Sequence, residues 1–105
     1  MHAGPLHDLA YLIAKTGYKP LLSMSWGFDL MRDVIVDAGM ASRARFALAH
    51  SSALITDAHC SAQKAIELGF DENRVCIFPW GADIDKFSPQ AVVTAGKRWR
   101  EAQNW

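Results

Sequence analysis

Pro20-Leu-Leu-Ser-Met-Ser-Trp-Gly-Phe-Asp29 and Arg74-Val-Cys-Ile-Phe-Pro-Trp-Gly-Ala-Asp83 are two versions of one pattern. Each is a short, largely apolar run of strand length, then Trp-Gly, then an acid two residues beyond the glycine. Such a run, closed by a glycine turn, predicts a buried strand with a loop at its carboxyl end. A third run of strand length, Ser52-Ala-Leu-Ile-Thr56, lies between them.

The intervals have helical spacing. Leu6, Leu9, Ala10 and Ile13 fall on one face of a helix over about 6–15. Gly17 stops it and Pro20 prevents its resumption. Two further helices are predicted over about 30–38 and 41–50, separated at Gly39, with Ala44, Ala47 and Leu48 turned inward. A fourth follows Asp57, which is expected to cap it. That helix buries Ala58, Ala62, Ala65 and Ile66, ends at Gly69, and is followed by a hydrophobic contact from Phe70. Residues 91–103 have weak helical character.

Strands separated by helices favour parallel pairing, because a parallel neighbour needs a crossover. The expected fold is a Rossmann-like α/β sandwich: a three-stranded parallel sheet with flanking helices, laid on both faces by right-handed crossovers. The opening, Met-His-Ala-Gly-Pro5, reads as a loop with no strand before it. The last residues read as a helix without a cap, and a three-stranded sheet exposes two edges. An incomplete domain over 1–90, followed by the start of an interdomain region over 91–105, is therefore expected, with self-association through the open sheet edges as a consequence.

The chain has 105 residues, 50% hydrophobic and 21% charged, which predicts a globular domain and not a disordered segment. The formal net charge is zero, so no electrostatic footprint for nucleic acid is present. Arg43 with Arg45, and Lys97 with Arg98 and Arg100, read as solvated helix faces. Cys60 and Cys76 lack CxxC spacing and read as free thiols, Cys76 as a small core residue in an apolar run. No stretch approaches the roughly 18 apolar residues of a membrane span. The N-terminus does not read as a signal peptide, so the cytoplasm is the expected compartment, with peripheral contact with the inner face of a membrane left open.

Ligands in open α/β sheets sit beyond the carboxyl ends of the strands. Both glycine loops fall there. Asp29 and Asp83 can accept hydrogen bonds from sugar hydroxyls, or cap the turn that follows. Trp26 and Trp80 can stack on a sugar ring, or fill core. Histidine is a residue type able to serve as acid or base, but His2 and His7 have no nucleophile beside them in the sequence, and loop or surface roles are expected for both. Neither GxGxxG nor GxxxxGK[ST] occurs. The single Asp-x-Asp, Asp83-Ile-Asp85, belongs to the second glycine loop, and no metal site is expected.

Three blocks together resemble family 4 glycosyltransferases. They are Tyr11-Leu-Ile-Ala-Lys-Thr-Gly-Tyr-Lys-Pro-Leu-Leu-Ser-Met-Ser-Trp-Gly-Phe-Asp29, Ala53-Leu-Ile-Thr-Asp-Ala-His-Cys-Ser61 and Val75-Cys-Ile-Phe-Pro-Trp-Gly-Ala-Asp-Ile-Asp-Lys-Phe-Ser-Pro89. The last carries the most specific string, P-x-G-x-D-x-x-x-F-x-P. The resemblance implies the N-terminal, acceptor-side domain of a retaining enzyme that moves a sugar from a nucleotide-sugar to an acceptor. It implies that Trp26, Gly27 and Asp29 line the acceptor side of the cleft. It places Trp80, Gly81 and Asp83 at the interdomain junction, with Lys86 and Phe87 as linker anchors. Trp26 stands where many members carry histidine, and Trp80 where asparagine is common. The family's first strand, its glycine-rich loop and its donor domain with paired glutamates have no counterpart in these residues. The resemblance therefore implies a fragment with no catalytic residue and no cofactor of its own, inactive by itself, the nucleotide-sugar being the whole enzyme's donor substrate. The alternative is a non-catalytic Rossmann-like module that binds sugar or protein.

Overall fold

The computed structural model describes residues 1–105, the side chains of residues 89–92 and 95 excepted. Four strands, β1 (His2–Ala3), β2 (Leu22–Met24), β3 (Ala53–Thr56) and β4 (Val75–Ile77), form one parallel sheet in the order β1-β2-β3-β4. The parallel sheet with flanking helices is as expected, but it has four strands, not three. The opening residues are the addition. The Leu22 N–H donates to the Met1 carbonyl at 2.8 Å, and His2 and Ala3 pair in register with Leu22 and Ser23.

A wide π turn over Leu6–Ala10 leads into α1 (Tyr11–Lys15), and a second over Asp29–Asp33 leads into α2 (Val34–Val36). Then come α3 (Ala38–His50), α4 (His59–Glu67), a 3-10 turn over Glu72–Arg74 before β4, and α5 (Pro89–Ala102). The expected break at Gly39 lies at Asp37 instead. Asp37 is extended (φ −133°, ψ 114°) and its carboxylate accepts from the Met40 N–H, so the helix restarts before the glycine. Asp57 does not cap α4. Ala58 holds that position, with no side-chain hydrogen bond. The end of α4 is as expected: Gly69 has φ +98°, and the buried Phe70 donates its N–H to the Ala65 carbonyl at 3.0 Å.

The core lies between the sheet and the helices. Along β2 and its flanks Leu21, Ser23 and Ser25 are buried, while Leu22 and Met24 are only partly so. On β3, Leu54 and Thr56 are buried and Ala53 and Ile55 are partly exposed. That alternation is the signature of a sheet covered on one face. Small residues let the helices approach one another: Ala10, Ala14, Ala44 and Ala47 are all buried with Leu48. The first π turn and α1 pack on α3, and the second π turn packs on α3 and α4, so these helices form a single layer. The expected cover on both faces is therefore corrected. A sheet wound in one direction by crossovers of one hand carries its helices on one side.

Cys76 is corrected for the same reason. It lies on the uncovered face of an edge strand and is exposed. The serines inside the core are paired: Ser23 Oγ and Ser51 Oγ lie 2.6 Å apart, and Ser51 Oγ donates to the Ala47 carbonyl at 2.6 Å. Thr56 Oγ1 is the buried side-chain oxygen without a partner among the described residues.

Residues 78–87, which lead into α5, are exposed. The radius of gyration is 18.4 Å and the long axis 53 Å, against a radius of gyration of about 13 Å for a compact domain of this length. The expected boundary between residues 90 and 91 falls inside this helix. No helix among the described residues is long and apolar enough to cross a membrane.

Candidate functional site

Because all four strands are parallel, their carboxyl ends share one rim. The loop carrying Trp26, Gly27 and Asp29 leaves β2 there, and the loop carrying Trp80, Gly81 and Asp83 leaves β4 there. One strand separates their origins, a lateral step of about 10 Å at the usual strand spacing.

The first loop is held from within. Gly27 has φ +85°, a backbone conformation that side chains disfavour, and it turns the chain from strand to helix. Asp29 is fully buried. Its Oδ1 accepts from Ser25 Oγ at 2.7 Å, from the Leu30 N–H at 3.0 Å and from the Trp26 N–H at 3.1 Å. Its Oδ2 accepts from the Leu6 N–H at 2.9 Å. The carboxylate thus ties the turn after β1 to the loop after β2, and its oxygens point into the protein. Of the two roles open to Asp29 in the sequence, the geometry supplies the structural one.

The aromatic residues face the other way. Trp26 is 57% exposed and Phe28 41% exposed, their rings edge to face at 6.4 Å. Trp80 is 71% exposed. Neither tryptophan fills core. In the second loop Asp83 is exposed. Its Oδ1 accepts from the Lys86 N–H at 3.0 Å, and its carbonyl accepts from the Phe87 N–H at 2.9 Å, so it caps a turn. Gly81 has no positive φ, and a Cβ there would touch nothing within 4 Å.

The same rim holds a pair that sequence reasoning did not join. His7 Nε2 lies 2.9 Å from Asp33 Oδ2, and the Arg32 Nε donates to Asp33 Oδ1 at 2.8 Å. His7 sits on the first π turn and Asp33 on the second, 26 positions apart. The Phe28 ring meets the imidazole edge-on at 6.1 Å. A histidine held through one ring nitrogen by a carboxylate presents the other in a fixed direction, as a hydrogen-bonding or proton-exchanging group. No sequence signal joins the two: the wide turns that bring them together, a feature common at functional sites, are visible only in the structure.

The Arg32 hydrogen bond holds the Asp33 carboxyl below its ordinary value of 3.8, with His7 adding to the effect and partial burial opposing it. A carboxyl lowered in the folded state adds stability that is present above its unfolded value and lost as the pH falls through the folded one. Asp33→Asn is therefore expected to flatten the acid limb. Its urea midpoint should fall less than the parent's from about pH 5 downward. Parallel acid limbs for the two proteins would show that the pair does not stabilise the fold.

A groove of about 250 Å³ runs along α4 and β4, lined by His59, Ala62, Gln63, Ile66, Glu72, Val75 and Ile77. No residue of either tryptophan loop contributes to it. Among the described residues no three metal-binding side chains come together. No protein-family model, curated protein or solved structure matches the chain.

Proposed function

We propose that the rim at the carboxyl ends of β2 and β4 is the acceptor-side wall of a retaining sugar-transfer crevice, and that the chain is the acceptor-side part of such a nucleotide-sugar glycosyltransferase. The observation that carries this reading is that two Trp-Gly loops leave the same end of one parallel sheet with both indoles turned to solvent. Ligands of open α/β sheets occupy that end, and an exposed indole offers a flat apolar face to a sugar ring. The blocks that resemble family 4 glycosyltransferases include both loops.

In this reading Trp26 and Trp80 touch the acceptor, and Gly27 and Asp29 set the attitude of Trp26 from behind. Gly81 and Asp83 shape the turn that leads away from the wall. His7, oriented by Asp33, lies behind Phe28 and can accept a hydrogen bond from an acceptor hydroxyl or donate one. The residues that hold the nucleotide-sugar belong to a facing domain, because stabilising a transition state between donor and acceptor needs both walls.

Two measurements test this. With nucleotide-sugars alone the 105-residue chain is expected to release nucleotide at the blank rate. A panel of glycans followed by tryptophan emission is expected to include binders. Removing one ring contact costs about 0.5–1.5 kcal/mol, so Trp26→Ala and Trp80→Ala should each weaken that binding roughly 2- to 12-fold. A panel with no binder, or one whose binding survives both substitutions, would overturn the reading.

A further inference from the structure

β4 is the outer strand of the sheet, and among the described residues no strand pairs with its free side. The Phe78 N–H donates to the Thr56 carbonyl at 2.7 Å. Backbone groups alternate in direction along a strand, so those of Cys76 and Phe78 face β3 while those of Val75 and Ile77 face outward. The Val75 N–H is taken by the Glu72 carbonyl. The Val75 carbonyl, the Ile77 N–H and the Ile77 carbonyl are left as a row of pairing groups. Proteins blunt such edges with charge or proline. Val75-Cys-Ile77 has neither.

The groove of about 250 Å³ lies against this edge. Val75 and Ile77 are its half-buried floor, and Ala62 and Ile66 of α4 its apolar wall. Glu72 lines the end where β4 begins, and His59 the end where β4 stops. Glu72 is exposed and holds no ion pair among the described residues, although Asp71 pairs with Arg74 at 3.4 Å and Glu67 with Lys64 at 3.0 Å.

We propose that this edge and groove take up an extended peptide segment of another protein. The segment adds to the sheet as a fifth strand parallel to β4, with apolar side chains in the groove and a lysine or arginine beside Glu72. The direction follows from the free groups. An antiparallel partner opposite Val75 would find its carbonyl but not its N–H. A parallel residue opposite Cys76 donates to the Val75 carbonyl and accepts from the Ile77 N–H together. Its two neighbours then lie over Val75 and Ile77, on the groove side. The proposal does not depend on the sugar crevice, since neither tryptophan loop lines the groove. A second copy suits the edge less well. A two-fold axis would run its β4 antiparallel and set Phe78-Pro79-Trp80 opposite Glu72, with no lysine or arginine for it.

The probe is Lys-Thr-Val-Thr-Val-Thr amide, carrying fluorescein on a flexible amino-terminal linker, with its second threonine opposite Cys76. Its anisotropy is expected to rise saturably on titration with the 105-residue chain. The Ile77 amide should gain protection from hydrogen exchange, while the Cys76 amide, turned to β3, stays unchanged. N-methylation of that threonine removes the donor to Val75 and should weaken binding roughly 2- to 12-fold. Glu72→Arg alters an exposed residue. It should weaken this peptide roughly 2- to 10-fold and strengthen the version with glutamate in place of lysine by a similar factor. Absence of saturable binding overturns the proposal. So does binding that is indifferent to N-methylation or to Glu72→Arg. A light-scattering mass of twice 11.6 kDa with the Ile77 amide already protected also overturns it, because a second copy then holds the edge.

Discussion

Asp29→Ala is expected to lower the free energy of unfolding by roughly 2–5 kcal/mol, because donors that the carboxylate serves lose their acceptor together. The reason lies in what the carboxylate serves. It accepts from Ser25 Oγ and from the backbone N–H groups of Leu6, Trp26 and Leu30, and is itself fully buried. Ser25 Oγ can turn to another acceptor and the Leu30 N–H also donates to the Gly27 carbonyl at 3.2 Å, but the Leu6 and Trp26 N–H groups cannot move, and a donor stranded in the interior costs about 1–3 kcal/mol. A domain of this size is stable by only about 5–15 kcal/mol. The urea midpoint followed by circular dichroism should therefore fall by about 2 M. Asp29→Asn keeps the shape but turns an amide N–H₂ towards a donor, so an intermediate loss is expected. A midpoint unchanged in the alanine variant would show that the carboxylate is not part of the frame, and would return Asp29 to the cleft as a ligand-facing acid.

Asp29 also shows where sequence and structure part. Its position after a strand and a glycine was legible, and so was the loop. Which way the carboxylate points was not, because its decisive partner, the Leu6 N–H, lies 23 residues away on another turn. The same holds for His7 and Asp33. His7 was visible as a single polar residue and Asp33 was not singled out; their meeting depends on two wide turns that shift the helical phase, and no α-helical spacing encodes that. Local features transferred well: Gly69 with Phe70 ends α4 as its pattern requires, and the three strands longest in sequence lie where apolar runs predict them. The missed strand, His2–Ala3, has only two residues and exists because β2 offers it a partner. Cover on both faces failed because strand order, which decides the side on which each helix lies, leaves no mark in periodicity. The tryptophans could be placed in loops but not assigned to core or surface until the rim existed.

Gly4→Ala is expected to cost roughly 2–3 kcal/mol, at the upper end for overpacking, because the obstruction is backbone. A Cβ on Gly4 would collide with the Met24 carbonyl and come within 3.0 Å of Trp26 Nε1. Met24 ends β2 in register with Ile55 of β3, so it cannot retreat without disturbing the sheet centre. β1 must give way instead, and with it the bond from the Leu22 N–H to the Met1 carbonyl. Hydrogen exchange reads this directly. The Leu22 amide should lose protection, while the Ser25 amide, bonded to the Ile55 carbonyl at 2.9 Å, keeps it. Equal loss at both would mean that the sheet opens as one unit; no loss at either would mean that the close approach at Gly4 is not real. Gly81→Ala is the control, since its Cβ meets nothing, and a change within about 0.5 kcal/mol is expected. The contrast bears on the rim as well. Gly4→Ala shifts the Trp26 indole without removing it, whereas Trp26→Ala removes it without disturbing β1. A glycan that binds the first variant weakly and the second no better needs both the ring and its placement, and placement comes from a glycine one strand away.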